Sequence, residues 1–144
     1  MNVIEPIIRQ AIRSDREEVF ALVKDFATSF NAEKNAFGFS FGQIINDGSA
    51  CLLVAEMNNR IIGYCLGFDH YAFYANGRVS WVEEIMVSEG YRKREIGRRL
   101  MNEFEEWSRS RDSKLVGLAT RRAAPFYEAL DYENSAVFFR KLLT

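Results

Sequence analysis

The 144-residue sequence has little of what commonly organises a small site: one histidine, two cysteines and two prolines. Cys51 and Cys65 form no C-x-x-C pair and His70 is the only imidazole, which argues against a metal site and against a disulfide scaffold. A charge of one sign is also missing. Nineteen Lys/Arg stand against twenty Asp/Glu, for a net charge of −1, which removes the usual electrostatic argument for a nucleic-acid partner. No apolar run approaches the ~20 residues that span a bilayer. Glu5 and Pro6 stand where a secretory peptide would place its apolar stretch, so a cytoplasmic chain is expected, with no membrane partner. What is plentiful is core-forming surface: 48% of the residues are hydrophobic, among them twelve Phe, six Tyr and two Trp. A chain of this length reads as one domain, residues 1–144, able to bury roughly 70% of its unfolded surface.

Apolar spacing divides the chain into short elements. Ile7 to Ala11 reads as a strand. Ser14-Asp15-Arg16-Glu17 has the pattern of a capping box, and Val19, Phe20, Leu22, Val23, Phe26 and Phe30 follow at helical spacing, predicting a helix over 15–29. A second box, Ser40 with Gln43, predicts a short helix ending at Asp47-Gly48. Ala50–Glu56 and Ile61–Phe68 read as a hairpin joined by Met57-Asn58-Asn59-Arg60. After the turn signal Asn76-Gly77 come a strand, Val79–Val87, an amphipathic helix to about residue 110 and a strand at Leu115–Ala119. A helix from Pro125 to Asp131 and a last strand, Val137–Leu143, complete the chain. That order predicts helices packed on a mixed sheet, with parallel pairing around the third long helix.

The stretch Val87-Ser88-Glu89-Gly90-Tyr91-Arg92-Lys93-Arg94-Glu95-Ile96-Gly97-Arg98-Arg99 carries most of the functional information. A strand ends and a helix begins, with five basic side chains around the first helical turn. That turn leaves backbone N–H groups unpaired and carries about half a positive charge. Cations there oppose the helix dipole by roughly 0.3–1 kcal/mol each unless an anion is bound, and phosphate is a natural occupant. A solvated basic turn is the plain alternative.

This run resembles the acyl-CoA loop of the GNAT superfamily of N-acetyltransferases, Gln/Arg-x-x-Gly-x-Gly/Ala, with Arg92 first, Gly97 last and Glu95 in place of the middle glycine. A later stretch, Ala123-Ala124-Pro125-Phe126-Tyr127-Glu128-Ala129-Leu130-Asp131-Tyr132, is similar to the family's Ala-x-x-Phe-Tyr-Glu-x-Leu-Gly-Phe/Tyr, with Asp131 in place of glycine. The resemblance implies an α/β (α+β) fold: a mixed, mostly antiparallel sheet of about six to seven strands flanked by about four helices. It implies acetyl-CoA as co-substrate, with Arg92, the amides from Lys93 through Arg94, Glu95, Ile96 and Gly97 to Arg98 holding the pyrophosphate. The main chain of Ile85, Met86 and Val87 would run beside the pantetheine arm. Thr120 stands where many members carry a CoA-contacting Asn, and Tyr127 where the family protonates the departing thiolate.

Within Trp81-Val82-Glu83-Glu84-Ile85-Met86-Val87, two acids interrupt an apolar strand. Burying a carboxylate is costly without a partner, so one of the two is expected to face a cleft or a cation. Strand alternation sends Glu83, Ile85 and Val87 to one face and Glu84 and Met86 to the other. The stretch also resembles the diamine acetyltransferase branch, Tyr-Leu-Glu-Asp-x-x-Val, which places the general base on Glu83 and the adjacent acid on Glu84. Phe68, Tyr71 and Tyr74 lead into this strand and are expected to edge the acceptor cleft, since aromatic faces beside acids suit a cationic amine.

The expected function is acetyl transfer from acetyl-CoA to a small-molecule primary amine by direct attack in a ternary complex. Protein lysine or N-terminal amines are the alternative acceptors, and a non-catalytic acyl-CoA-binding module is the alternative of another class. A homodimer is possible, as members of the family often dimerise.

Overall fold

A computed structural model describes residues 5–26, 30–92 and 95–144. Five strands form one sheet in the order β1 (Ile7–Gln10), β2 (Ala50–Met57), β3 (Arg60–Ala72), β4 (Gly77–Val87) and β5 (Ser113–Leu118). β1 to β4 pair antiparallel, and β5 joins β4 in parallel after a helical crossover. The helices are α1 (Arg16–Lys24), α2 (Lys34–Ile45), α3 (Ile96–Ser110) and α4 (Ala124–Glu128). The α/β class and the four helices match expectation. The sheet is smaller than the expected six to seven strands, because Val137–Leu143 pairs with no strand among the described residues and residues 133–144 form no regular element.

Two apolar clusters cover the two faces of the sheet. On one, Ile96, Leu100, Met101 and Phe104 of α3 pack on Leu53, Ala55, Cys65 and Val82, joined by Tyr127. The 3.6-residue spacing of the α3 residues places all four on one stripe. On the other, Val19 and Leu22 of α1 and Phe41 of α2 pack on Leu52, Val54, Tyr64 and Leu66. The two sets of strand residues alternate, as a sheet covered on both faces requires. Among the described residues no helix is long and apolar enough to cross a membrane.

Local chemistry explains the boundaries. Asn58 and Asn59 adopt left-handed backbone at φ 53° and 61°, which closes the two-residue hairpin between β2 and β3. Neither expected capping box forms. Asp15, not Ser14, organises the start of α1: its carboxylate accepts from the Ile12 N–H at 2.8 Å and pairs with Arg9 at 2.7 Å. α2 begins six residues before Ser40, because the Glu33 side chain accepts from the N–H groups of Asn35 and Ala36. The expected helix over 15–29 is seen as far as Lys24, and its last residues, 27–29, lie outside the described residues.

Candidate active site

The site begins where β4 and β5 part. β5 pairs with β4 only as far as Leu118 opposite Val82, whereas β4 continues to Val87. Five residues of β4 therefore have β3 on one side and, among the described residues, no strand on the other. Hydrogen-bond alternation decides which of them offer their backbone to that open side. Ser88 donates its N–H to Ile62 at 2.7 Å, so Met86 also turns its amide toward β3, and Ile85 and Val87 turn theirs away. The Val87 carbonyl accepts from Arg92 Nε at 3.0 Å, which closes the far end of this open edge.

The edge leads into the first turn of α3. Arg99 is the first residue to donate back along the helix, to the Glu95 carbonyl at 3.0 Å, so the N–H groups of Ile96, Gly97 and Arg98 have no intrahelical acceptor. Glu95 takes left-handed backbone at φ 64°, the conformation for which glycine is best suited. Its side chain is 73% exposed and lies 4.0 Å from Arg98, so it projects into solvent rather than over the free amides. Gly97 is needed for close packing: a Cβ there would meet the Phe126 ring of α4 at 3.2 Å. Arg99 is satisfied elsewhere, 3.5 Å from Glu5. Lys93 and Arg94 lie outside the described residues.

The two acids of β4 are separated by a bulge. Leu66 faces Glu84 and Gly67 faces Val82, leaving Glu83 as the extra residue. The bulge takes Glu83 out of the alternation expected from sequence, while the rest of it holds: Ile85 and Val87 share the α3 face, now with Val82, and Met86 packs with Tyr64 on the opposite face. Glu83 is exposed at the bulge. Glu84 is held, because the hydroxyl of the buried Tyr64 donates to its Oε1 at 2.7 Å. Burial, with Glu84 close by, pushes the Tyr64 hydroxyl far above its ordinary range, so it stays a donor. Tyr64 carried no signal of this role in the sequence beyond being a polar-tipped residue inside an apolar strand.

Tyr127 is 8% exposed, in the apolar cluster that Ile85 also joins, with its ring edge-on to Phe126 and Tyr132. Burial pushes its hydroxyl up to about 12, so it remains protonated at neutral pH. Thr120 is exposed, and its hydroxyl accepts from the Ala123 N–H at 3.0 Å, steering the chain into α4. Phe68 is half-buried on the α1/α2 face opposite Trp81, near the bulge. Tyr71 and Tyr74 are not brought to the opening. Tyr71 pairs with Arg78, seven residues before Ile85, which at ~3.4 Å per residue is roughly 24 Å away. Both are exposed, and Tyr71 instead stacks under the Arg78 guanidinium at 4.6 Å. Among the described residues no cluster of three or more His, Cys, Asp or Glu is placed to hold a metal ion.

A mixed sheet whose strands part beside a helix N-terminus is an α/β architecture, and solved structures share this fold. A transcriptional regulator from Bacillus halodurans superposes with a TM-score of 0.87 at 22% identity, over 96% of this chain and 99% of that one. Glucosamine-6-phosphate N-acetyltransferase from Arabidopsis thaliana gives 0.86 at 19% identity, over 96% and 99%. An aminoglycoside N-acetyltransferase in complex with CoA gives 0.82 at 16% identity, over 99% and 98%. No curated relative matches the sequence. Residues 11–132 match the Acetyltransferase (GNAT) family, and the chain belongs to that family. It is an acetyl-CoA-dependent N-acetyltransferase.

Proposed function

We propose that the enzyme acetylates a primary amine of a small molecule, with acetyl-CoA and amine bound together and the amine attacking the thioester directly. The observation that carries this reading is the open edge of β4, where Ile85 and Val87 turn their N–H groups away from β3, together with the N–H groups of Ile96, Gly97 and Arg98 that have no acceptor within α3. An extended amide-bearing arm adds to the first as a strand would, and a diphosphate suits the second. Arg92 and Arg98 supply positive charge around that turn, and Met86 anchors the strand from the opposite face. With the arm so placed, the Ile85 amide is the donor in reach of the thioester carbonyl, where a developing oxyanion needs one.

An alkyl amine of pKa near 10.4 is neutral in roughly one molecule per 2,500 at pH 7, a penalty of about 4.6 kcal/mol. A carboxylate at the bulge removes that proton directly or through one water. Glu83 is exposed to solvent there and takes this role, while Glu84 contacts the acceptor. The Tyr64 hydrogen bond favours a second reading, in which Glu84, fixed in one orientation, is the base. Tyr127, held protonated by burial, donates to the thiolate as it leaves. A protein lysine or N-terminal amine is the alternative acceptor. Phe68 is the member of the expected aromatic set that lies near the bulge; Tyr71 and Tyr74 are not assigned to the acceptor.

Thiol release measured against polyamines, amino acids, amino sugars, aminoglycosides and short peptides tests the reading. Turnover with a small amine supports it, and turnover confined to the peptides overturns the small-molecule assignment.

A further inference from the structure

α4 has five residues, too few to hold a helix by its own hydrogen bonds, so its place is fixed by contacts from outside. Two such contacts tie it to α3. At the first, the Phe126 ring lies over Gly97 in the opening turn of α3, where a Cβ would come within 3.2 Å of it. The second lies about 12 Å further along α3 at ~1.5 Å per residue. There the Tyr132 hydroxyl donates to Glu105 Oε2 at 2.7 Å. Tyr127 falls between the two in the chain, its ring edge-on to Phe126 at 4.9 Å and to Tyr132 at 6.0 Å. Tyr132 also holds Tyr127 through the backbone. Asp131 takes left-handed backbone at φ 70°, and that turn brings the Tyr132 N–H onto the Tyr127 carbonyl at 3.0 Å. This six-to-one hydrogen bond closes the helix C-terminus. Among the described residues no group hydrogen-bonds the Tyr127 hydroxyl, so these ring and backbone contacts set its direction.

We propose that Tyr132 and Glu105 are a positioning pair for the acid of the reaction: their hydrogen bond, from the turn that closes α4 to the body of α3, sets where the Tyr127 hydroxyl stands as the thiolate leaves. The inference rests on the reading of Tyr127 as that acid. Proton donation needs the donor within hydrogen-bond reach of the leaving atom, and a misplacement of about 1 Å is costly in rate. Both ties run to α3, the helix to whose first turn the diphosphate is assigned, so one rigid element references the acid to the CoA. Burial and the Glu105 carboxylate push the Tyr132 hydroxyl far above its ordinary range, so the bond keeps its donor at neutral pH. Neither residue touches the reacting atoms; the pair acts through Tyr127.

Thiol-release kinetics on the full chain test the proposal, with acetyl-CoA varied and the most rapidly acetylated amine of the panel above held at saturation. Tyr132→Phe removes the bond and keeps the ring. It is expected to lower kcat about three- to tenfold, with KM for acetyl-CoA changed less than about twofold. Glu105→Ala leaves every residue of α4 in place and is expected to do the same. Glu105→Gln, whose amide oxygen still accepts the bond, is expected to recover most of that loss. In the Tyr127→Phe background neither Tyr132→Phe nor Glu105→Ala is expected to lower kcat further, because no hydroxyl is left to place. Unchanged kcat in Tyr132→Phe and Glu105→Ala overturns the proposal. So does a loss of the same size in the Tyr127→Phe background, which a general loosening of the fold would give. Full turnover in Tyr127→Phe itself overturns the acid reading and the pair with it. A tenfold loss there beside an unaltered Tyr132→Phe overturns the pair alone.

Discussion

At the scale of single residues, Glu95 shows how a departure from a family pattern is absorbed. A non-glycine residue at φ 64° carries strain on the order of 1 kcal/mol, yet its side chain projects outward. Glu95→Gly is therefore expected to be about 1 kcal/mol more stable than Glu95→Ala in urea unfolding, while CoA affinity by calorimetry changes less than twofold in both. A large gain in affinity for the glycine variant would mean that the carboxylate obstructs the loop. Tyr127→Phe is expected to lower kcat at least tenfold with CoA affinity kept; undiminished turnover would remove the phenol from the chemistry. Burial also gives Tyr127 and Cys51 a pH signature, raising each to about 12 from ordinary values of 10.0 and 9.0. Above pH 9 the unfolded chain ionises these groups before the folded one does. Stability is thus fully present below pH 9 and falls as the pH rises toward 12. Thermal midpoints that are equal at pH 8.5 and 10.5 would contradict this.

Elements were legible in the sequence where one local rule decided them. The stripe of Ile96, Leu100, Met101 and Phe104 fixed α3, and Asn58-Asn59 fixed the first hairpin. Boundaries set by a side chain from outside the periodic run were not legible. Glu33 starts α2 well before Ser40, and Asp15 displaces the box expected at Ser14. The β4 bulge was hidden for a different reason: it depends on Gly67 of the neighbouring strand. A Cβ at Gly67 would lie 2.3 Å from the Phe104 ring and 2.7 Å from the Trp81 carbonyl. The glycine lets α3 press onto the sheet beside the bulge. Gly67→Ala is expected to destabilise the protein by about 2–3 kcal/mol in denaturant unfolding, since one contact is with backbone that side-chain rotation does not relieve. A change below 0.5 kcal/mol would show that the sheet relaxes freely there.

For the molecule as a whole, the sequence carried the core-facing stripes of α1 and α3 and the strand-to-helix loop between β4 and α3, but not the faces of the β2 and β3 residues that make up much of the core. It misplaced what depends on distance along the sheet. Tyr71 and Tyr74 looked like neighbours of the acids because they precede them in the chain, yet the β3–β4 hairpin carries them to the opposite end. Val137–Leu143 has the apolar pattern of a strand, yet among the described residues it joins no sheet. The split between β4 and β5 emerges only when two pairings are compared, one ending at Val82 and the other continuing to Val87.

The central claim is that acetyl-CoA lies along this split with its diphosphate at the start of α3. A titration of ¹⁵N-labelled protein with acetyl-CoA, followed by amide resonances, tests it most directly. The amides of Ile85, Val87, Ile96, Gly97 and Arg98 are expected to shift the most and with a common dissociation constant. Saturable binding that leaves those five resonances unmoved while others shift would contradict the account.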